Sequence, residues 1–385
     1  MWITRLKLKN WRNFKHIDIA LRDRVYLIGP NASGKSNLLD VFRFLRDIAK
    51  PSGGGLQKAV KDRQGMTPIR CLQARTDSEV AIEVELALAV DDPVAEWTYA
   101  IGFKNEGKSP HRLLLNDERV FHQGESVLNR PDEADRTDPE RLTQTHLEQV
   151  NANAAFRPMA ECFAGVTYLH LVPQLLKYGD VMGGHRLEDD PFGQGFLEQI
   201  ARCPTRTREA RLKRIQTALQ GAVPQFKALR FVKDEVNGHP HLEAFYEHWR
   251  PNAGGQREEQ FSDGALRLLA LLWSLLDGDS LLLLEEPELS LNEALVEKIP
   301  LLLDRLQRQA RHRRQILLST HSEALLRNPG IDGRGVLRLA PEKEGTRIVE
   351  PDEAEQRMME TGLSAAEVLL LKTWPAQLDQ WALFK

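Results

Sequence analysis

Cysteine is scarce in this chain: Cys71, Cys162 and Cys203 are the only three among 385 residues. An odd, scattered set supplies neither a disulfide framework nor a zinc site on its own, and it fits reduced thiols in a cytoplasm. Long apolar runs are also missing. The richest, from Leu268 to Leu276, is bounded by Arg267 and by Asp277-Gly278-Asp279, short of the roughly 18 residues a membrane helix needs. No membrane span is therefore expected. The stretch from Met1 to Asn13 carries Arg5, Lys7, Lys9 and Arg12 without an apolar segment, so it does not read as a secretory signal. Charge of one sign is lacking too. Lys and Arg number 52 against 55 Asp and Glu, a net charge of -3, so the whole chain is no general polyanion binder and any nucleic-acid surface must be local. What remains is an ordinary globular composition, 42% hydrophobic and 28% charged, which argues against disorder. The length allows one large or two moderate domains.

Along the chain, Ile3 to Leu8 and Ile17 to Leu21 alternate apolar and polar residues, and Val25 to Ile28 is a continuous apolar run ending at Gly29. All three read as strands. Leu38, Leu39, Val41, Phe42, Phe44, Leu45 and Ile48 follow at helical spacing, and Pro51-Ser52-Gly53-Gly54-Gly55 stops that helix. Strict alternation from Ser78 to Val90, with a further strand from Trp97 to Phe103, predicts an antiparallel patch. Between Glu106 and Ala160 the pattern weakens, and Asn129 to Arg136 reads as a solvated loop. Val166 to Val172 reads as a short strand, and Phe196 to Leu229 as mainly helical. Beyond Pro251-Asn252-Ala253-Gly254-Gly255 the chain alternates: helix from Leu266, strand Leu281 to Leu284, helix from Asn292, strand Gln315 to Ser319, helix from Glu323. Such alternation predicts a mostly parallel sheet.

Gly29-Pro30-Asn31-Ala32-Ser33-Gly34-Lys35-Ser36 fits the phosphate-loop pattern and sits after an apolar strand and before a helix. Successive backbone N–H groups and the helix N-terminus cradle anions there, Lys35 reaches the outer phosphates, and the Ser36 hydroxyl takes a Mg²⁺ position. Leu281 to Leu284 runs into Glu285-Glu286-Pro287-Glu288. Acids at the carboxyl end of a parallel strand can hold Mg²⁺ and orient water, which assigns Glu285 to the metal, through water, and Glu286 to polarising the attacking water. Ser262-Asp263-Gly264 opens a helix that Ser262 or Asp263 can cap. His321 stands just past another apolar strand, within reach of a terminal phosphate.

Phosphate loop, Ser-Asp-Gly helix start, acidic strand end and strand-end histidine come in that order, with 24 residues from Ser262 to Glu286 and 35 from Glu286 to His321. This resembles the ATP-binding-cassette (ABC) ATPases. The opening Leu8-Lys9-Asn10-Trp11-Arg12-Asn13-Phe14-Lys15 is similar to that of the RecF, chromosome-maintenance (SMC) and overcoming-lysogenization-defect (OLD) AAA ATPases, and Glu285 to Leu291 with Ser319 to Ser322 looks most like the OLD type. The resemblance implies an α/β fold: an ABC-ATPase head of P-loop NTPase type, a mostly parallel sheet plus an antiparallel N-terminal patch, with a mainly helical insertion. Its divisions are an N-terminal lobe at 1–105, an inserted segment at 106–255, a C-terminal lobe at 256–350 and a tail at 351–385. It also implies that Arg12 contacts phosphate, that Asn13 or Phe14 lies near the base, and that Gly29, Asn31, Ser33, Gly34, Lys35, Ser36 and Asn37 bind ATP. Ser36, Glu285 and the glutamine-loop candidate Gln73 would hold Mg²⁺, Glu286 and His321 would be catalytic, and Ser262, Asp263 and Gly264 would complete a partner's site in trans. Two positions depart from the pattern. Glu285 replaces the commoner aspartate, and Ala32 replaces a glycine, which a negative φ would tolerate.

OLD-type proteins often carry a TOPRIM nuclease domain, but only 64 residues follow His321, with no Asp-x-Asp pair. The nuclease is expected to be missing or a separate polypeptide. The implied function is a cytoplasmic ATPase that dimerises, or assembles further, around ATP and controls a separately encoded effector in prokaryotic anti-phage defence. The alternative is a RecF/SMC-like DNA repair or recombination clamp; a transporter ATPase is disfavoured by Ser262-Asp263-Gly264. Two basic stretches, Arg202 to Arg214 and Arg305 to Arg314, are candidate DNA contacts, and the tail from Trp374 to Phe384 is a candidate partner-docking segment.

Overall fold

A computed structural model describes residues 1–92, 94–107, 112–182, 187–247, 254–309 and 313–373. Strands β1 (Trp2–Trp11), β2 (Phe14–Ala20) and β3 (Arg24–Ile28) lead to the phosphate loop and the helix Lys35–Ala49. There follow β4 (Val80–Ala87), β5 (Trp97–Asn105), β6 (Leu113–His122), β7 (Glu125–Arg130) and β8 (Thr167–Leu169). After them come β9 (Phe226–Lys233), β10 (Pro240–Tyr246), β11 (Gln256–Arg257), β12 (Leu282–Glu285), β13 (Ile316–Ser319), β14 (Val336–Glu342) and β15 (Gly345–Val349).

These strands build three sheets. An antiparallel sheet runs β2-β1-β4-β5-β6-β7, and a small one β11-β10-β9. The third, in the order β15-β14-β3-β13-β12-β8, is parallel except for β15. Its inner strands are apolar on both faces because both faces are covered. Val25, Leu27, Leu283 and Leu317 join a core with the antiparallel sheet and the helix Lys35–Ala49. Their neighbours Tyr26, Ile28, Leu282, Leu284, Ile316 and Leu318 join a second core with the helix Asp263–Leu276. Buried Gln315 ties the layers, accepting from Ile3 N (2.9 Å) and donating to Ile3 O (2.7 Å) and Arg22 O (2.9 Å).

The α/β class, the mostly parallel sheet and the antiparallel N-terminal sheet are as expected, with local differences. Strands β6 and β7 lie beyond residue 105 yet continue the antiparallel sheet. The stretch Asn129 to Arg136 is no solvated loop: Arg130 is 1% exposed and pairs with Asp135 (2.8 Å) and Glu118 (3.0 Å), both at 0%. Phe196 to Leu229 is helical only to Ala222, since β9 begins at Phe226. Among the described residues no helix is long and apolar enough to cross a membrane. The segment from Trp374 to Phe384 lies outside the described residues.

Candidate functional site

Three neighbouring parallel strands deliver the site at their carboxyl ends, where open α/β sheets place ligands. Strand β3 gives way to the phosphate loop, β12 ends in Glu285, and β13 leads through Thr320 to His321. In the loop, Gly34 caps the helix at φ 101°, and an added Cβ would lie 2.2 Å from Asn13 Nδ2. Ala32 adopts φ 61°, not the negative value that would suit alanine. Lys35 Nζ donates to Gly29 O (3.1 Å) and Pro30 O (3.2 Å), and the fully buried Ser33 Oγ has no hydrogen-bond partner among the described residues. Burial pushes the Lys35 ammonium below its ordinary pKa against the pull of Glu286, Glu285 and Glu288.

The Ser36 hydroxyl donates to Glu285 Oε1 across 249 residues of sequence. Glu285 Oε2 accepts from the Tyr168 hydroxyl. Burial first, and this hydrogen bond second, hold the Tyr168 phenol far above its ordinary pKa, so it remains a donor. Glu286 sits at φ 44°, its amide donating to Ser319 O (3.1 Å), and its Oε1 lies 3.5 Å from His321 Nε2. Burial and Lys35 lower the His321 pKa against Glu286, which leaves the imidazole neutral near pH 7. Glu288, 8% exposed, accepts from Thr320 Oγ1 (2.6 Å) and His321 N (3.2 Å), which fixes the histidine's backbone.

The other expected residues have partners or positions of their own. Arg12 pairs with Asp40 (2.6 Å), which also holds Arg63 (2.9 Å). Asn13 is a clamp on the phosphate loop: its Nδ2 donates to Ser33 O (2.8 Å) and Thr346 Oγ1 (2.7 Å), and Asn37 donates to its Oδ1 (2.8 Å). Phe14 is fully buried in the core. Gln73 has no hydrogen bond to Ser36 or Glu285; its Oε1 faces the Cys71 thiol (3.2 Å) on a short turn. Asn31 is exposed at the loop's tip.

In the second motif, Ser262 caps its helix by accepting from Ala265 N (3.2 Å) and is exposed. Asp263 binds Lys177 (2.7 Å) and Gln174 (3.0 Å) of the helix Pro173–Met182. Gly264 is needed where it stands, since a Cβ would come within 2.5 Å of Ser290 O. The basic stretches are partly structural. Arg208 and Arg211 stack on Phe231 and Trp273, and buried Arg314 donates to Ser274 O (2.8 Å) and Thr167 Oγ1 (2.8 Å). Arg311 and His312 lie outside the described residues.

No sequence motif marks Tyr168, Glu288 or Asp40 as site residues. Tyr168 leaves a faint signal as the phenol in an apolar strand, and Glu288 as the third acid of the run that begins at Glu285.

As a set, the donors could hold a nucleotide polyphosphate. The Ser33 hydroxyl, without a hydrogen-bond partner among the described residues, the Lys35 ammonium hydrogen-bonded to carbonyls of its own loop, and the glycine cradle suit phosphate oxygens. The Ser36 hydroxyl and Glu285 carboxylate suit a hard divalent cation.

A family model described as "AAA domain, putative AbiEii toxin, Type IV TA system" matches residues 25–327. A stretch of 88 residues is 27% identical to the DNA replication and repair protein RecF of Bacillus mycoides (strain KBAB4), covering 23% of this chain and 24% of that protein. Another of 92 residues is 33% identical to RecF of Roseiflexus castenholzii (strain DSM 13941 / HLO8), covering 22% and 23%. The chain thus spans about a quarter of the length of these curated relatives. Among solved structures, the Smc head bound to the C-winged helix domain of ScpA is similar at TM-score 0.55 and 15% identity, over 91% of this chain and 98% of that one. The Smc head with an extended coiled coil bound to the C-terminal domain of ScpA, derived from Pyrococcus furiosus, gives 0.52 and 13% over 94% and 99%. At such identities the likeness speaks to fold.

Proposed function

The chain belongs to the family of AAA domains that its residues 25–327 match, an ABC-type ATPase of the RecF and SMC class, and on that premise we propose that it binds ATP with Mg²⁺ between two copies of itself and hydrolyses it slowly to release them. The observation that carries the reading is the meeting of Ser36 with Glu285, from opposite ends of the sequence, beside Lys35, Glu286 and His321. Lys35 and the loop amides of residues 31–36 would bind the phosphates; Ser36 and Glu285 would hold the metal. When bound, Mg²⁺ would neutralise charge on the phosphate oxygens. Glu286 would take a proton from water, and neutral His321 would donate a hydrogen bond at a terminal phosphate. Ser262 and Gly264 of the second copy would close the site.

Replacing Glu286 by Gln is expected to keep ATP binding, lower phosphate release about 100-fold or more, and accumulate an ATP-bound dimer in sedimentation. An unchanged hydrolysis rate would overturn the assignment of Glu286. For the biological role, we propose cytoplasmic control of a separately encoded effector in anti-phage defence, supported by the OLD-like stretch from Glu285 to Leu291 and by a family description that names a "putative AbiEii toxin, Type IV TA system". The RecF relatives favour a second reading, an ATP-gated clamp on DNA. Copurification with the product of the neighbouring reading frame separates them: a nuclease-like or toxin-like partner supports the first. Salt-sensitive, ATP-dependent DNA binding by the chain alone supports the second.

A further inference from the structure

Glu285 carries one more methylene than the aspartate expected at its position, and so one more rotatable bond. A carboxylate on a longer arm reaches the same cation only if something selects its rotamer. Tyr168 is placed to do that. It lies on the edge strand β8, paired in parallel with β12 so that it stands opposite Leu283, two residues before Glu285. Its hydroxyl occupies Glu285 Oε2, while Oε1 faces Ser36. The phenol ring is itself held. The Arg43 guanidinium lies 4.2 Å from its centroid and 3.6 Å from Asp40, and Arg43 sits on the helix that begins with Lys35 and Ser36.

We propose that Tyr168 is the positioning residue for Glu285: its hydroxyl fixes the carboxylate in the one arrangement that turns Oε1 toward Ser36, where a divalent cation is held. The proposal rests on the reading that Ser36 and Glu285 form a cation site. It explains how glutamate serves at this position and predicts that Glu285 and Tyr168 act as a unit.

The test uses Mn²⁺ as the cation, followed by loss of its free electron paramagnetic resonance signal on titration into the full chain with ATPγS. Tyr168→Phe removes only the hydroxyl and keeps the ring beneath Arg43. Mn²⁺ affinity should fall about 10-fold or more, with ATPγS affinity in EDTA and the thermal midpoint unchanged. Glu285→Asp shortens the arm beyond the phenol's reach, so Tyr168→Phe should have no further effect in that background. Equal losses in the two backgrounds, or unaltered Mn²⁺ affinity in Tyr168→Phe, overturn the proposal. Ser36→Ala and Glu285→Gln serve as controls. If they too leave Mn²⁺ affinity intact, it is the cation-site reading that fails; if they weaken it while Tyr168→Phe does not, only the positioning role fails.

Discussion

Ala32 carries a side chain at φ 61° in the loop that phosphates would enter. For a residue other than glycine, left-handed backbone costs roughly 1–2 kcal/mol, whereas glycine adds about 0.4–1 kcal/mol of unfolded-state entropy. The first term is larger. Ala32→Gly should therefore raise stability by roughly 0.5–1 kcal/mol, seen as a higher urea midpoint at constant slope; a lower midpoint would show that the alanine methyl is favourably packed. Gly34 is the opposite case, because φ 101° and an Asn13 amide nitrogen 2.2 Å from where a Cβ would stand leave no room for any side chain. Strain recurs at Glu286, φ 44°, beside the proposed attacking water, and such outliers gather where the surroundings hold a reactive geometry. None of these dihedrals is legible in the motif string, which records residue types and not the backbone they adopt.

At the scale of elements, apolar periodicity identified β1 to β5, β12, β13 and the helix Lys35–Ala49, because each buries one or two regular faces. It missed β6 and β7. The polar stretch Asn116 to Arg119 interrupts β6, β7 is mostly polar, and what holds the turn after them is charge: Arg130 donates to Asp135 (2.8 and 2.9 Å) and Glu118 (3.0 Å), while Glu118 also accepts from His146 N (2.8 Å) and Leu147 N (3.1 Å). A run of charges reads as solvent-facing until the partners are seen to be buried. Removing one partner of such a cluster strands the others, so Arg130→Met should destabilise the fold by about 3–5 kcal/mol, measured by urea unfolding; a loss below about 1 kcal/mol would mean the cluster is effectively solvated. Its acid response has a definite sign. Burial raises the Glu118 pKa, so on acidification Glu118 takes up its proton early, which does not weaken the fold. Burial alone would raise the Asp135 pKa as well, but hydrogen bonds from Arg130, Asp132 N and Arg141 outweigh it and hold that carboxyl well below its ordinary value. Stability from Asp135 is thus complete above about pH 4 and lost as pH falls through its folded pKa. Asp135→Asn should flatten that acid limb, and an unchanged limb would assign it to other carboxylates.

For the whole molecule, the parallel sheet separates two cores, and the residues of the proposed site divide between them. The phosphate loop and its helix belong to the core shared with the antiparallel sheet, whereas the helix begun by Ser262 packs on the opposite face, its Asp263 tied to Lys177 and Gln174. Ser262 is exposed, and none of its hydrogen bonds reaches Lys35, Ser36, Glu285 or Glu286. A second copy related by a two-fold axis would bring its Ser262 to the first copy's Lys35 and receive the reciprocal contact. This predicts complementation. Lys35→Ala and Ser262→Arg should each abolish hydrolysis as homodimers, because every site then lacks one half. Mixed in equal amounts, about half of the dimers are mixed and each regains one of its two sites, so roughly a quarter of the wild-type rate should return. The recovered rate should vanish when both substitutions are placed in the same chain and mixed with either single variant in ATP-free conditions before assay. No recovery from two folded, dimerising single variants would mean that Ser262 acts within its own chain, and the proposed sandwich would have to be abandoned.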